Sequence, residues 1–225
     1  MSSRHLFRVE GKRISSLDKS VLERLMKPYG SVMLDIGTGD GKHAYRYAKT
    51  HPDSYVVGID ASAESLRAQS YRASRKPSRG GLPNVLFLKA TVEDLPGYLP
   101  QPATRLHILL PWGKLLDQVL RPDDDFLRAV RAISGASAKL RILLNDSALA
   151  TRPGEIPTAL ETDTADCLFQ RLKSVYERHN IAIERISTLT TTEARRVPTS
   201  WARRLASARA PEFLVIRACV NAPDI

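Results

Sequence analysis

The sequence predicts an α/β protein: a mostly parallel sheet covered by helices on both faces. Three observations predict it. Short apolar runs alternate with amphipathic stretches along the chain, as strand–helix–strand units require. Val32-Met33-Leu34-Asp35-Ile36 reads as a strand running into the turn Gly37-Thr38-Gly39-Asp40-Gly41. Backbone without Cβ atoms can approach a ligand closely there and present a helix N-terminus to it. Tyr55-Val56-Val57-Gly58-Ile59-Asp60 is a second strand ending in an acid, 19 residues after Gly41. An acid at about that distance suits the hydroxyls of a ribose.

The other elements follow in order. Leu6, Phe7 and Val9 before Glu10-Gly11-Lys12 predict a hairpin within residues 1–15, turning at Gly11. Ser15 and Ser16 are expected to cap an amphipathic helix over residues 17–26, which stops before Pro28-Tyr29-Gly30. A helix of about 40–50 follows the glycine turn and ends at His51-Pro52-Asp53. Another, of about 62–75, carries Arg67, Arg72 and Arg75 toward Lys76 and Arg79, with a Gly/Pro-rich loop beyond. Residues 84–88 form a third strand. Residues 105–110 form a fourth, ending in Pro111-Trp112-Gly113, and Asp123-Asp124-Asp125 cap a helix of 124–133. A fifth strand covers 139–144, a helix 161–178, and the sixth and seventh strands 181–188 and 212–220. No clear helix separates those last two strands, so an antiparallel edge is expected. There is no internal repeat, and 225 residues suffice for one domain with a proper core. We therefore expect a single domain over 1–225, with residues 189–210 inserted before the last strand.

Charge narrows the partner. The excess of Lys and Arg gives a formal net charge of +10, and the pI is near 9.9. Nucleic acid is the expected polyanion, ahead of a membrane. Cys167 and Cys219 lack metal-ligand spacing, so no metal and a reduced compartment are expected. No apolar run approaches the ~20 residues of a span and no signal-peptide core is present, which points to the cytoplasm.

In open α/β sheets, ligands bind at the carboxyl ends of strands. Asp35, Asp60, Thr91-Val92-Glu93 and Leu110-Pro111-Trp112 all fall at such ends. Trp112 and Trp201 are the only tryptophans, and the second lies among Arg195, Arg196, Arg203 and Arg204. Aromatic faces beside arginines are how proteins hold an unstacked base. The plainer roles are partial packing for Trp112 and loop anchoring for Trp201.

Asp35-Ile36-Gly37-Thr38-Gly39-Asp40-Gly41 resembles motif I of the class I, Rossmann-like, S-adenosylmethionine-dependent methyltransferases, and Asp60 resembles their second-strand acid. The resemblance implies a seven-stranded, mostly parallel sheet with an antiparallel last strand, here extended by the N-terminal hairpin. It implies cofactor contacts from Asp35, Gly37, Thr38, Gly39, Gly41, Asp60, Ala61, Ser62, Ala90, Thr91, Val92, Glu93, Leu109, Leu110 and Pro111, with Glu93 or Asp94 on the adenine amine. Taken with Leu110-Pro111-Trp112-Gly113 and Pro198-Thr199-Ser200-Trp201, the turn resembles the aminoglycoside-resistance 16S rRNA methyltransferases of the Kam type, which modify N1 of adenine-1408 in the decoding site. That likeness implies that Trp112 and Trp201 stack on the flipped adenine and that Thr199 borders the cofactor. It further implies that Arg67, Arg72, Arg75, Lys76, Arg203, Arg204 and Arg209 meet the RNA of the 30S subunit, with the protein acting as a monomer. Other readings of the same turn are a class I enzyme acting on guanine N7 of tRNA or rRNA, and a non-catalytic adenine-nucleotide-binding protein. The G-x-G-x-G spacing disfavours a dehydrogenase.

Overall fold

The computed structural model describes residues 6–145, 164–189, 192–193 and 213–222. Nine strands form one sheet: β1 (Leu6–Glu10), β2 (Arg13–Leu17), β3 (Ser31–Ile36), β4 (Ser54–Asp60), β5 (Val85–Lys89), β6 (Ala103–Leu109), β7 (Ser134–Asn145), β8 (Ile181–Leu189) and β9 (Phe213–Val220). The helices are α1 (Lys19–Met26), α2 (Lys42–Thr50), α3 (Ala63–Ala73), α4 (Gly113–Leu120), α5 (Asp124–Ile133) and α6 (Thr164–Glu177).

The spatial order is β2-β1-β5-β4-β3-β6-β7-β9-β8. Strands β3 to β7 pair in parallel. Strand β9 runs antiparallel to both β7 and β8. This is the expected seven-stranded arrangement. It grows to nine because the hairpin does not stand apart: β1 pairs antiparallel with β5 and carries β2 outside it. Gly11 makes the hairpin turn at φ +62.

One expectation fails at the start of α1. Ser15 and Ser16 do not cap the helix; they pair with Arg8 and Phe7 as part of β2. Asp18 takes the N-cap position, without a side-chain hydrogen bond to the helix. Ladder pairing to β1 outweighs the local capping preference of serine. At α5 the reading holds: Asp123 accepts from the Phe126 N–H at 2.7 Å and satisfies one of the free donors of the first turn.

Two apolar layers sandwich the sheet. On one face Leu34, Ile36, Leu106, Ile108, Leu140, Ile142 and Ile216 pack with residues of α1, α4, α5 and α6. On the other, Met33, Val56, Val85 and Phe87 pack with Ala44, Tyr45 and Ala48 of α2 and with Leu66 and Ala73 of α3. The end of α2 is fixed by a buried amide. Asn84 Nδ2 donates to the carbonyls of Ala48, His51 and Ser54 at 2.9, 3.1 and 3.0 Å, tying the helix exit to the start of β4 and β5. Asn84→Ala should cost about 1–3 kcal/mol of unfolding free energy, because those buried carbonyls lose their donor. Urea titration of parent and variant checks this.

Candidate active site

The site forms where the strands end. A cavity of about 370 Å³ opens at the carboxyl ends of β3, β4, β5 and β6, a size ordinary for a small-molecule cleft. Its wall includes Gly37, Thr38, Gly39, Asp60, Ala61, Ala90, Thr91, Val92, Glu93, Leu109, Leu110, Pro111 and Trp112. The sequence-predicted residues of four separate segments therefore converge on one cleft.

The glycine turn passes through left-handed backbone at Gly37, Gly39 and Gly41, with φ of +67, +57 and +73. Their surroundings divide the three. A Cβ at Gly37 would stand 2.4 Å from Leu115, and one at Gly41 2.6 Å from Phe87. A Cβ at Gly39 would meet nothing within 4 Å. Gly39 thus borders open cleft, while Gly37 and Gly41 are required for close packing on α4 and β5. Gly41, Asp35 and Ser62 do not line the cleft: the first two are buried and Ser62 is exposed.

Asp35 is 1% exposed. It accepts a hydrogen bond from Thr38 Oγ1, so it braces the turn from below. Burial pushes its carboxyl up; the nearby His43, the Thr38 hydroxyl and the Ala44 N–H pull the other way. Asp60 performs a similar task with both oxygens: Oδ2 accepts from the Gly39 N–H at 2.9 Å and Oδ1 from the Ser62 N–H at 2.8 Å. Each carboxylate oxygen has a second acceptor direction, so Asp60 can hold the turn and still receive ligand hydroxyls.

On the third strand end the two acids divide. Asp94 closes a capping box with Thr91, accepting from its N–H at 2.9 Å and its hydroxyl at 3.0 Å. Glu93 lines the cleft, accepts from Gln118 Nε2 at 2.6 Å and pairs with Lys114 at 3.5 Å. Burial pushes the Glu93 carboxyl up, but these donors outweigh it and leave the group below its ordinary range. An ionised Glu93 offers the cleft an acceptor. Lys114, Leu115 and Gln118, on α4, were not anticipated. The signal was present: Leu116, Val119 and Leu120 recur at helical spacing directly after Pro111-Trp112-Gly113.

After β6 the chain turns sharply. Leu110 sits at φ +57, a conformation that costs a bulky residue of order 1–3 kcal/mol and persists only where its surroundings enforce it. Its N–H is bound to the Leu143 carbonyl at 2.8 Å and its side chain is buried. Beyond it Trp112 lies on the rim of the cleft, 54% exposed. That exposure is at odds with a core-packing role. Trp201, Thr199, Arg203, Arg204 and Arg209 lie outside the described residues. Arg67, Arg72, Arg75 and Lys76 are exposed along α3 and just beyond it. Arg67 pairs with Glu64 at 3.2 Å; Arg72 lies over Tyr45 and Arg75 over Tyr71, at 4.7 and 5.9 Å from the ring centres.

The model of the NpmA family, described as 16S rRNA (adenine(1408)-N(1))-methyltransferase, matches residues 7–220. The chain belongs to this family. A 16S rRNA (adenine(1408)-N(1))-methyltransferase of Streptoalloteichus hindustanus is 36% identical over 205 residues, spanning 90% of this chain and 93% of the relative. One from Escherichia coli is 29% identical and spans 95% and 98%. Among solved structures, the 16S rRNA methyltransferase KamB superposes with a TM-score of 0.84 at 34% identity, covering 96% of this chain and all of that one. A mutant of the Catenulisporales acidiphilia enzyme, solved with its cosubstrate SAM, gives 0.83 at 30% identity, covering 98% and 99%. The NpmA-family cleft described above suits that cosubstrate: open space at Gly39, spare acceptor directions on Asp60, and an apolar wall from Ile36, Ile59 and Leu109.

Beneath the turn, His43 Nε2 and His107 Nδ1 lie 2.8 Å apart, so one ring donates and the other accepts. Burial, reinforced for His107 by His43, Arg141 and Arg105, holds both imidazoles low, His107 at about 3. Unfolded imidazole takes up a proton near pH 6.5, well before the folded pair does. Unfolding therefore gains protons between about pH 6.5 and 3, and stability falls as pH falls through that window. Asp35, raised by burial, acts in the opposite sense. Parent protein should lose thermal stability between pH 7 and 4.5 more steeply than His107→Gln, as scanning calorimetry across that range would read.

Proposed function

We propose that this chain transfers the methyl group of S-adenosylmethionine to N1 of adenine-1408 in 16S rRNA of the 30S subunit, a change that confers aminoglycoside resistance. It is read as one domain acting as a monomer in the cytoplasm. The observation that carries this reading is the exposed Trp112 on the rim of a cleft built from the glycine turn and Asp60. When bound, the sulfonium cofactor supplies an electrophilic methyl group.

The chain's own residues bind and orient. The Gly37–Gly39 turn lets the backbone approach the cofactor, Asp60 receives its ribose hydroxyls, and Ala90 to Glu93 flank its adenine. Trp112 and Trp201 stack on the flipped base. Adenine N1 carries a lone pair and no proton, so no general base is needed. The protein contributes alignment of N1 with the methyl group. The methylated base is cationic, and an aromatic face attracts it by about 0.5–2 kcal/mol. Arg67, Arg72, Arg75 and Lys76, together with Arg203, Arg204 and Arg209, meet the RNA backbone. Primer extension and nucleoside analysis of 30S subunits incubated with protein and S-adenosylmethionine test the reading. N1-methyladenine at 1408 is expected, whereas N7-methylguanine would assign a different acceptor.

Asp60→Ala should weaken S-adenosylhomocysteine binding by about 1.5–3 kcal/mol, as for charge-assisted hydrogen bonds; isothermal calorimetry reads this directly. Trp112→Ala and Trp201→Ala should each lose roughly 1–3 kcal/mol of base stacking and methylate 30S subunits poorly at unchanged cofactor affinity. Phe at either position should keep part of the activity.

A further inference from the structure

The sheet face that carries α2 and α3 is not uniform. Over β3, β4 and β5 it is apolar and covered by those helices. Over β6, β7, β9 and β8 it turns basic. The register sets His107 beside Arg141, Arg141 beside Arg217, and Arg217 beside Arg185, each pair directly opposite on adjacent strands. Arg105 stands two residues before His107 on β6. Arg105, Arg185 and Arg217 are exposed, and Arg141 is half-buried.

Like charges placed directly opposite on neighbouring strands oppose each other, and folded proteins ordinarily separate or neutralise them. Neither happens here. Among the described residues none of these arginines has an acidic partner; the acid nearby, Glu184, pairs with Lys139 at 2.8 Å. Among the described residues Arg217 donates to the Ser187 hydroxyl, at 3.3 Å. The Arg141 Nε is buried with no hydrogen-bond partner, and burial together with Arg217 pushes its guanidinium down from the ordinary arginine value. Beside this row, Tyr47 stacks on His51 with ring centres 3.9 Å apart and meets His107 edge-on at 5.7 Å.

We propose that the Arg141–Arg217–Arg185 row is a second RNA contact, a strip of the sheet that receives consecutive phosphates of an RNA backbone. Neighbouring strands lie ≈ 4.7–4.9 Å apart, and adjacent guanidinium groups on long side chains can splay from that spacing to meet successive phosphates. The occupant is RNA because the row is cationic throughout, with the rings of His107 and Tyr47 at its β6 end. The inference rests on the reading of the chain as an enzyme of 30S RNA, and it adds a surface on β7, β9 and β8, strands that α3 does not cover.

The test uses full-length protein. Arg185→Gln with Arg217→Gln removes two exposed charges, and Arg185→Lys with Arg217→Lys keeps them. Affinity for 30S subunits is measured across a salt series, with an A-form RNA duplex as a second probe and S-adenosylhomocysteine binding as the check on the fold. Removing one arginine–phosphate pairing should flatten the slope of log affinity against log salt by about one. The Gln pair is therefore expected to flatten it by about two on 30S subunits, the Lys pair to keep the parent slope, and cofactor affinity to stay unchanged in both. A parent-like slope for the Gln pair on 30S subunits overturns the proposal, even if the duplex slope changes. Methylation of 30S subunits by the parent, measured alongside, separates this failure from that of the proposed function. If the parent does not methylate them, the functional reading falls, and the row stands or falls on the duplex slope alone.

Discussion

The carboxylate of Asp60 is the joint on which the cleft depends. With one oxygen it holds the N–H of Gly39, in the turn after β3; with the other it holds the N–H of Ser62, at the start of α3. Two loops leaving adjacent parallel strands are thereby fixed to one planar group. A second acid, Asp35, braces the same turn from inside through Thr38. The backbone between them runs left-handed at three glycines, a path with little intrinsic preference to form. The two carboxylates supply the enthalpy that selects it. The turn that borders the cleft is thus held in place by two acids, Asp35 buried beneath it and Asp60 on the cleft wall.

The same logic shapes the acceptor side. Leu110 is forced into left-handed backbone by a strand hydrogen bond and by burial of its side chain. Pro111 then restricts the next step, and Trp112 arrives at the rim without being buried. A glycine at position 110 would relieve the backbone but release the tryptophan's position. The bulky residue trades local strain for a fixed direction. Below, Glu93 is shared between Gln118 and Lys114 of α4, so the helix that begins at Trp112 also sets the acid opposite it.

The strand, glycine turn, helix and second acid were legible because each is local: apolar period, turn chemistry and spacing lie within thirty residues. The parallel sheet and its antiparallel edge were also within reach, from the alternation of strands with helices and from the missing helix between the last two strands. What escaped depended on partners distant in sequence. Ser15 and Ser16 look like helix caps until β1 claims their backbone. The helix after Trp112 is a different case: its apolar spacing was in the sequence, but Pro111 and Gly113 read as loop. The close contact of Gly41 with Phe87 escaped as well, because Phe87 lies on a distant strand. The row of Arg141, Arg217 and Arg185 cannot be seen in a single sequence at all, because only sheet register brings it together.

The N-terminal hairpin does more than lengthen the sheet. Without β1, the outer rim would be β5, four of whose five residues are buried. Such a strand, with unpaired amides and an apolar sequence, is a template for joining other chains. β1 closes that rim, and β2 replaces it with a five-residue strand bearing Arg13, Ser15 and Ser16. The hairpin therefore covers an edge otherwise open to pairing with other chains, at the end of the sheet farthest from β8. Its loss would show first as reduced solubility, while the cleft at β3 and β4 kept its shape.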